Sequence, residues 1–174
     1  MAGSSGKQKT VRDMVLSLGL IGLMAGIIYL FIPHDDSPQE VKRVDYRVEL
    51  LTARRAAPYP VLAPAGLPDT WKATSVRYDG ADSDAWHLGF HTPGDGYVQI
   101  EQSTHEPAAE FIDEASQGGE ETDATEEIGG RTWTRYTGGR YDALVHQADG
   151  ATTVVAGAGS HAQLTQMVKA LKSE

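Results

Sequence analysis

Residues 71–101 read WKATSVRYDGADSDAWHLGFHTPGDGYVQIE, and their pairing decides the architecture. Three runs, about 72–78, 85–91 and 97–103, are separated by loops of Asp, Gly and Pro, which is the pattern of a meander. The register follows from asking which pairing gathers apolar side chains on one face. One hairpin sets Phe90 against Val98 and Leu88 against Ile100. The other sets Val76 against Leu88 and Tyr78 against Trp86. Both turn the same residues inward, and a slip of one position would turn them all outward.

Working outward, Pro107 opens a short helix, Ala108–Ala115, at a position where proline is tolerated. Ala108, Phe111, Ile112 and Ala115 recur there at helical spacing. The run Gln117–Glu127 is acidic and reads as a mobile loop. Strands near 124–128, 131–136, 140–147 and 151–157 follow. Gly129-Gly130, Gly138-Gly139 and Asp149-Gly150 stand between them as two-residue hairpin signals. The chain closes in a helix with Ser160 as N-cap and Gln163 three residues on, a capping box. Leu164, Met167, Val168 and Leu171 form its apolar stripe, and Lys169 and Lys172 suit its C-terminus. Upstream, Val44, Tyr46, Val48 and Leu50 alternate with polar residues and predict a first strand. Thr52–Ala57 reads as a turn of helix. Prolines 58, 60, 64 and 68 then keep the chain extended up to Trp71. The expected class is α+β, with an antiparallel sheet of about six to eight strands in meanders packed against two helices.

A separate element precedes this domain. Met14–Ile32 carries no charge. As a helix it spans ~28 Å at ~1.5 Å per residue, close to the ~30 Å hydrocarbon core of a bilayer. No small-residue cleavage pattern follows it, so an uncleaved signal anchor is expected rather than a signal peptide. Lys7, Lys9 and Arg12 precede the span, while Asp35, Asp36 and Glu40 follow it. Positive charge stays in the cytoplasm, so the C-terminal domain is expected outside the cell membrane. The expected layout is a cytoplasmic tail at 1–13, the anchor at 14–33, a stalk at 34–43 and the α+β domain at 44–174. Gly22 and Gly26 form a GxxxG pair through which two spans could approach and dimerise. The commonplace reading is that glycine is frequent in membrane helices.

The formal net charge is −9. Lys7, Lys9, Arg12 and Asp13 give the tail +2, so the rest carries −11. That excess argues against nucleic acid and against lying flat on anionic lipid. The chain has no cysteine, which excludes a disulfide framework and a cysteine-linked lipid. Stability must come from an ordinary core.

Three motifs suggest chemistry, and each has a plainer reading. Gly157-Ala-Gly159-Ser-His-Ala162 matches a dinucleotide fingerprint. That fingerprint needs a parallel βαβ unit, whereas here the helix closes the fold. A tight strand-to-helix turn explains the glycines, and no cofactor is expected. His87 and His91 have helical metal-ligand spacing but fall on a strand, where they stand ~13 Å apart at ~3.3 Å per residue. They read as solvent-face histidines, with His87 opposite Glu101. Asp79, Asp82 and Asp84 crowd one hairpin loop, and an aspartate-rich turn accounts for them without calcium. No metal site is expected. Hydrolase signatures such as G-x-S-x-G and H-E-x-x-H are absent, so no catalytic residue is expected and an enzyme is the weaker hypothesis.

The candidate interaction surface lies on the later strands. Trp133, Leu144 and Val155 line up on one face, with Arg135 beside Asp142 and Arg131 beside His146. Val145, Val154, Ala143, Ala156 and Tyr141 occupy the other face and look like core. An apolar stripe flanked by charge is a docking surface if nothing covers it. Coverage by residues 44–62 would instead make it a second core.

The proline-rich lead into Gly66-Leu-Pro-Asp-Thr-Trp71, then Trp86-His-Leu-Gly-Phe90, Gly96-Tyr-Val-Gln-Ile-Glu101 and Gly130-Arg-Thr-Trp133, together with the single span, carry a resemblance. The chain resembles, over nearly its whole length, an uncharacterised family of actinobacterial membrane-anchored proteins, a domain-of-unknown-function family. The order of hairpins and closing helix is also similar to the exported domains of anti-sigma and sporulation anchor proteins. The resemblance implies a cell-envelope location and supplies no catalytic residues. The expected function is a membrane-anchored extracytoplasmic domain that docks a protein or envelope component. The alternative is a small-ligand or lipid-binding module with a pocket between sheet and helices. A hydrolase without a recognisable motif comes third.

Overall fold

The computed structural model describes residues 5–31 and 41–173. The chain divides into two units, Met1–Glu40 and Val41–Glu174. In the first, α1 runs from Ser5 to Phe31. Its stretch Val11–Phe31 is long and apolar enough to cross a membrane, and none of its most apolar window is buried. Gly22 and Gly26 are open on its surface. The expected end of the span at Ile32 and Pro33, and residues 34–40 of the expected stalk, lie outside the described residues.

The second unit is built on one antiparallel sheet. In chain order its strands are β2 (Lys72–Asp79), β3 (Ala85–Thr92), β4 (Gly96–Ser103), β5 (Glu120–Ile128), β6 (Arg131–Thr137), β7 (Asp142–Ala148) and β8 (Ala151–Gly157). Their spatial order is β2-β3-β4-β8-β7-β6-β5. Two meanders therefore meet at a single seam, β4 against β8. The α+β class and the strand count are as the sequence indicates. So are the registers of the first meander, with Phe90 opposite Val98 and Val76 opposite Leu88. Two of the glycine turns form as expected. Gly129-Gly130 and Asp149-Gly150 all have positive φ, as the tight hairpin turn requires.

The third turn differs. The Gly138-Gly139 connection is longer than two residues, and Arg135 rather than Trp133 faces Leu144. Residues 140 and 141 are drawn away to donate backbone hydrogen bonds to Gln117 and Ser116, at 3.0 and 3.1 Å. The register moves by two, so every side chain keeps its expected face.

Helix α3 (Ala108–Ser116) forms where expected, and α4 (His161–Ala170) carries the Ser160–Gln163 capping box. Two expectations fail. Residues 44–50 are not a strand: α2 occupies Arg47–Ala56. Tyr46, Leu50, Ala53 and Ala57 also recur at helical spacing, and these are the residues that pack on the core, while Val48 is 74% exposed. Asp45 accepts a hydrogen bond from the backbone N–H of Arg47 at 3.1 Å, which satisfies one free donor of the first turn. The acidic run is not a loop either. Glu120–Ile128 is edge strand β5, paired to β6 with an irregularity between Glu121 and Thr125. Charge on an edge strand discourages pairing with other chains.

Two cores lie on opposite faces of the sheet. The larger gathers Trp86, Leu88, Ile100, Trp133, Leu144 and Val155 from the strands. It is closed by α4, through Leu164, Met167 and Val168, and by the extended segment Tyr59–Ala63. Trp86 Nε1 donates to Leu62 O at 3.0 Å, and Leu62 N donates to Gln102 Oε1 at 2.7 Å. A two-strand ribbon of β1 (Ala63–Pro64) and β9 (Leu171–Lys172) ties that segment to the chain end. The smaller core sets Ile112 and Ala115 of α3 on Ala143, Val145, Val154 and Ala156. The seam depends on Gly157, where a Cβ would lie 2.8 Å from Val98 Cα. Strand β8 has antiparallel neighbours on both sides, so Gly157–Ala162 is a strand-to-helix turn and not part of a parallel βαβ unit.

Candidate functional site

The stripe expected to dock a partner is interior. Trp133, Leu144 and Val155 are each 0% exposed. The sequence places them together on one face correctly, but α4 and residues 59–63 cover that face. Trp133 stacks against His146 at 5.3 Å between centroids. Arg135 reaches Asp142 at 3.6 Å. Arg131 is half-buried and lines a cavity of about 210 Å³ with Tyr59 and His146. Trp133, Leu144 and Val155 are therefore part of the larger core and not an accessible apolar surface.

What the fold leaves open is half of the opposite face. Helix α3 covers that face over β7 and β8. Over β2, β3 and β4 the same face carries Ser75, Arg77, His87, Gly89, Tyr97, Gln99 and Glu101. Val76 and Tyr78 pack on the larger core, so Ser75 and Arg77 alternate to the open face. Ala73 pairs with Phe90 and Ser75 with Gly89, with an irregularity between them, and this bulge lets Ala73 turn back to the core without moving Ser75.

Three side chains then connect across three strands. Ser75 Oγ lies 2.8 Å from His87 Nε2. His87 Nδ1 lies 2.7 Å from Glu101 Oε1. An ionised carboxylate only accepts, so Nδ1 carries a proton, and in the neutral ring Nε2 accepts from the serine hydroxyl. The His87 and Glu101 side chains are 21% and 19% exposed, sheltered but reachable. Tyr97 completes the chain. Its hydroxyl hydrogen-bonds with Ser75 over Gly89, and burial raises its pKa, so the phenol stays protonated. A Cβ at Gly89 would collide with both the Tyr97 and Ser75 hydroxyl oxygens. Glycine is therefore the residue that lets the two meet.

Beside this relay is a cavity of about 440 Å³ between the sheet and α3. Arg77, Gln99, Glu101 and Ser103 line it from the strands, and Glu110, Phe111 and Glu114 from the helix. Gln99 Nε2 donates to Ala115 O at 3.0 Å and fixes the helix to the sheet. His105 approaches Glu110 at 3.5 Å on the rim. The wall is charged and mostly acidic. Arg77 is exposed and directly opposite His87.

The other singled-out groups have local roles. Asp79 accepts from Ala81 N at 3.0 Å, and Asp84 accepts from the Tyr78 hydroxyl at 2.8 Å, so two of the three loop carboxylates shape their own turn. His91 sits 3.4 Å from Asp95 within its hairpin. Among the described residues no three His, Cys, Asp or Glu side chains are grouped to hold a metal ion. Sequence reasoning paired His87 with Glu101 but missed Ser75, although the same register already set Ser75 against Gly89.

The family model for proteins of unknown function DUF4245 matches residues 7–171. The chain belongs to this family. The match covers α1 and nearly all of the second unit, so the anchor-like helix and the sheet domain are one family unit. No curated protein matches it.

Proposed function

We propose that this member of DUF4245 is a membrane-anchored protein whose sheet domain binds a small polar ligand in the cavity between the open face and α3. The observation that carries the reading is the unequal coverage of the sheet. One face is covered by α4 and the segment Tyr59–Ala63, part of the other is covered by α3, and the remainder holds a charged cavity of about 440 Å³. That volume falls in the range of small-molecule sites, roughly 300–1,000 Å³. Its lining favours a ligand that is itself polar. An amine or hydroxyl-bearing group suits Glu101, Glu110 and Glu114, and a carboxylate or phosphate suits Arg77.

The same proposal includes the setting. Helix α1 acts as a retained signal anchor, with the basic tail in the cytoplasm and the sheet domain on the outer side. The charge step from Lys7, Lys9 and Arg12 to the acidic domain supports that orientation. The likeness in the segments Gly66–Trp71 and Gly96–Glu101 supports an actinobacterial cell envelope. Gly22 and Gly26, open on α1, offer a close-approach face for a second span, so a dimer is part of the reading.

The test is native mass spectrometry of the full-length protein, extracted in mild detergent from its own membrane. A bound small molecule is expected, released by Arg77→Ala or by Glu110→Ala with Glu114→Ala. These three side chains are exposed, so their loss leaves the cores intact. A protein that carries only lipid and detergent, or an adduct indifferent to all these changes, contradicts the proposal.

A further inference from the structure

We propose that Ser75 is the nucleophile of an acyl-transfer site, with His87 as its general base, Glu101 orienting the imidazole, and a carboxylic ester of a polar small molecule as the substrate class. The inference rests on the open face being the functional site and deepens that reading.

Separate features of the fold converge on one oxygen. Alternation with core-facing Val76 and Tyr78 sets Ser75 on the open face. Gly89, directly opposite, supplies the space above it. His87 reaches it diagonally across two strands, at 2.8 Å. Glu101, on the third strand, holds the other ring nitrogen at 2.7 Å. His87 and Glu101 are directly opposite each other, while Ser75 is opposite Gly89 and bonds His87 diagonally. The resulting order, hydroxyl to imidazole to carboxylate, is the connectivity that activates a serine, and it recurs on unrelated folds by geometry rather than by sequence order.

The step balances as follows. Ser75 Oγ attacks the ester carbonyl carbon and forms a C–O bond, while its proton passes to His87 Nε2. The negative charge collects on the former carbonyl oxygen. The Tyr97 hydroxyl, kept protonated by burial, is a donor beside Ser75. Arg77, two residues along the same face and about 7 Å away by strand rise, supplies positive charge. The bond to the alcohol then breaks, and His87 returns its proton to the leaving oxygen. Water hydrolyses the acyl-serine through the same base, releasing the acid and restoring Ser75. The cavity shares Glu101 and Arg77 with this site and accommodates the polar part of the ester.

The test uses the full-length protein in mild detergent, treated with a fluorophosphonate probe and, in parallel, with p-nitrophenyl acetate. Intact-mass and peptide mapping are expected to find one phosphonylated serine, Ser75, and ester turnover above buffer. Heating before treatment and Ser75→Ala both abolish labelling. His87→Ala lowers the labelling rate by about 100-fold or more, the scale of a general base. Glu101→Gln lowers it less, and circular dichroism verifies that each variant is folded. Folded wild-type protein that takes no label at Ser75, or a Ser75 label whose rate ignores His87→Ala, overturns the assignment. The wild-type arm decides alone if a variant does not fold. A ligand seen by native mass spectrometry with no labelling refutes the nucleophile and leaves the binding reading standing, while loss of both refutes the two together.

Discussion

Replacing Gly157 by alanine tests how the two meanders are joined. The β4–β8 pairing is the one seam between them, and Gly157 faces Val98 across it. An added methyl group would lie 2.8 Å from Val98 Cα and 2.9 Å from the Tyr97 carbonyl carbon. These are backbone atoms, so no side chain can rotate away, and β4 must move. Overpacking of this kind costs about 1–3 kcal/mol. The loss of one or two ladder hydrogen bonds adds about 1 kcal/mol each. Alanine regains about 0.5–1 kcal/mol through the less flexible unfolded chain. The net is about 1–4.5 kcal/mol, or about 4–18 °C in Tm at about 4 °C per kcal/mol for a domain of this size. Gly159→Ala is the control. Its Cβ would meet Gln163 Oε1 at 2.9 Å and Val98 Cγ2 at 3.0 Å, side-chain atoms that can move, so a loss under about 1 kcal/mol is expected. Tryptophan fluorescence during thermal unfolding of the detergent-solubilised chain reads both. A Gly157→Ala protein that melts with wild type, or one that melts above Gly159→Ala, refutes this reasoning.

Two further outcomes follow from the same structure. Leu144→Ala removes a fully buried side chain and is expected to cost about 2–5 kcal/mol, whereas an unchanged Tm would restore the stripe to the surface. Tyr46, Tyr59, Tyr97 and Tyr136 all have raised pKa values, chiefly from burial, and Tyr78 is raised to about 12 by burial and by Asp84. The folded state holds these protons after the unfolded chain, with tyrosines near 10, releases them. Their contribution is therefore complete below about pH 10 and lost as pH rises toward the folded values. Tm is expected to hold up to about pH 10 and to fall between about pH 10 and 12, less steeply in Tyr59→Phe, and a flat profile in wild type contradicts it.

Much of the fold is legible in the sequence because one face of each strand is apolar. Phe90 with Val98 and Leu88 with Ile100 admit one register, and the Ser160–Gln163 box marks a helix start by local hydrogen bonding alone. The misread elements are those where two periods coexist. Tyr46 and Leu50 satisfy both an alternating and a helical pattern, and only packing on the core decides for the helix. The acidic residues of β5 hide a strand because its pairing comes from the backbone. The stripe of Trp133, Leu144 and Val155 was correctly grouped, but its cover comes from Tyr59–Ala63 and α4, segments far from it in the chain. Ser75 is legible in its strand position, opposite Gly89 in the same register, but not in its bond, because the hydroxyl reaches His87 diagonally and no residue type in that stretch marks the contact.

The central claim is the directed relay on the open face, and the ring nitrogens of His87 test it most directly. Nitrogen-15 spectra of the histidine-labelled full-length protein at neutral pH distinguish which one carries the proton. The account predicts a His87 ring protonated at Nδ1 and bare at Nε2, with that preference weakened in Glu101→Gln. A His87 ring protonated at Nε2, or one unaffected by Glu101→Gln, would contradict it.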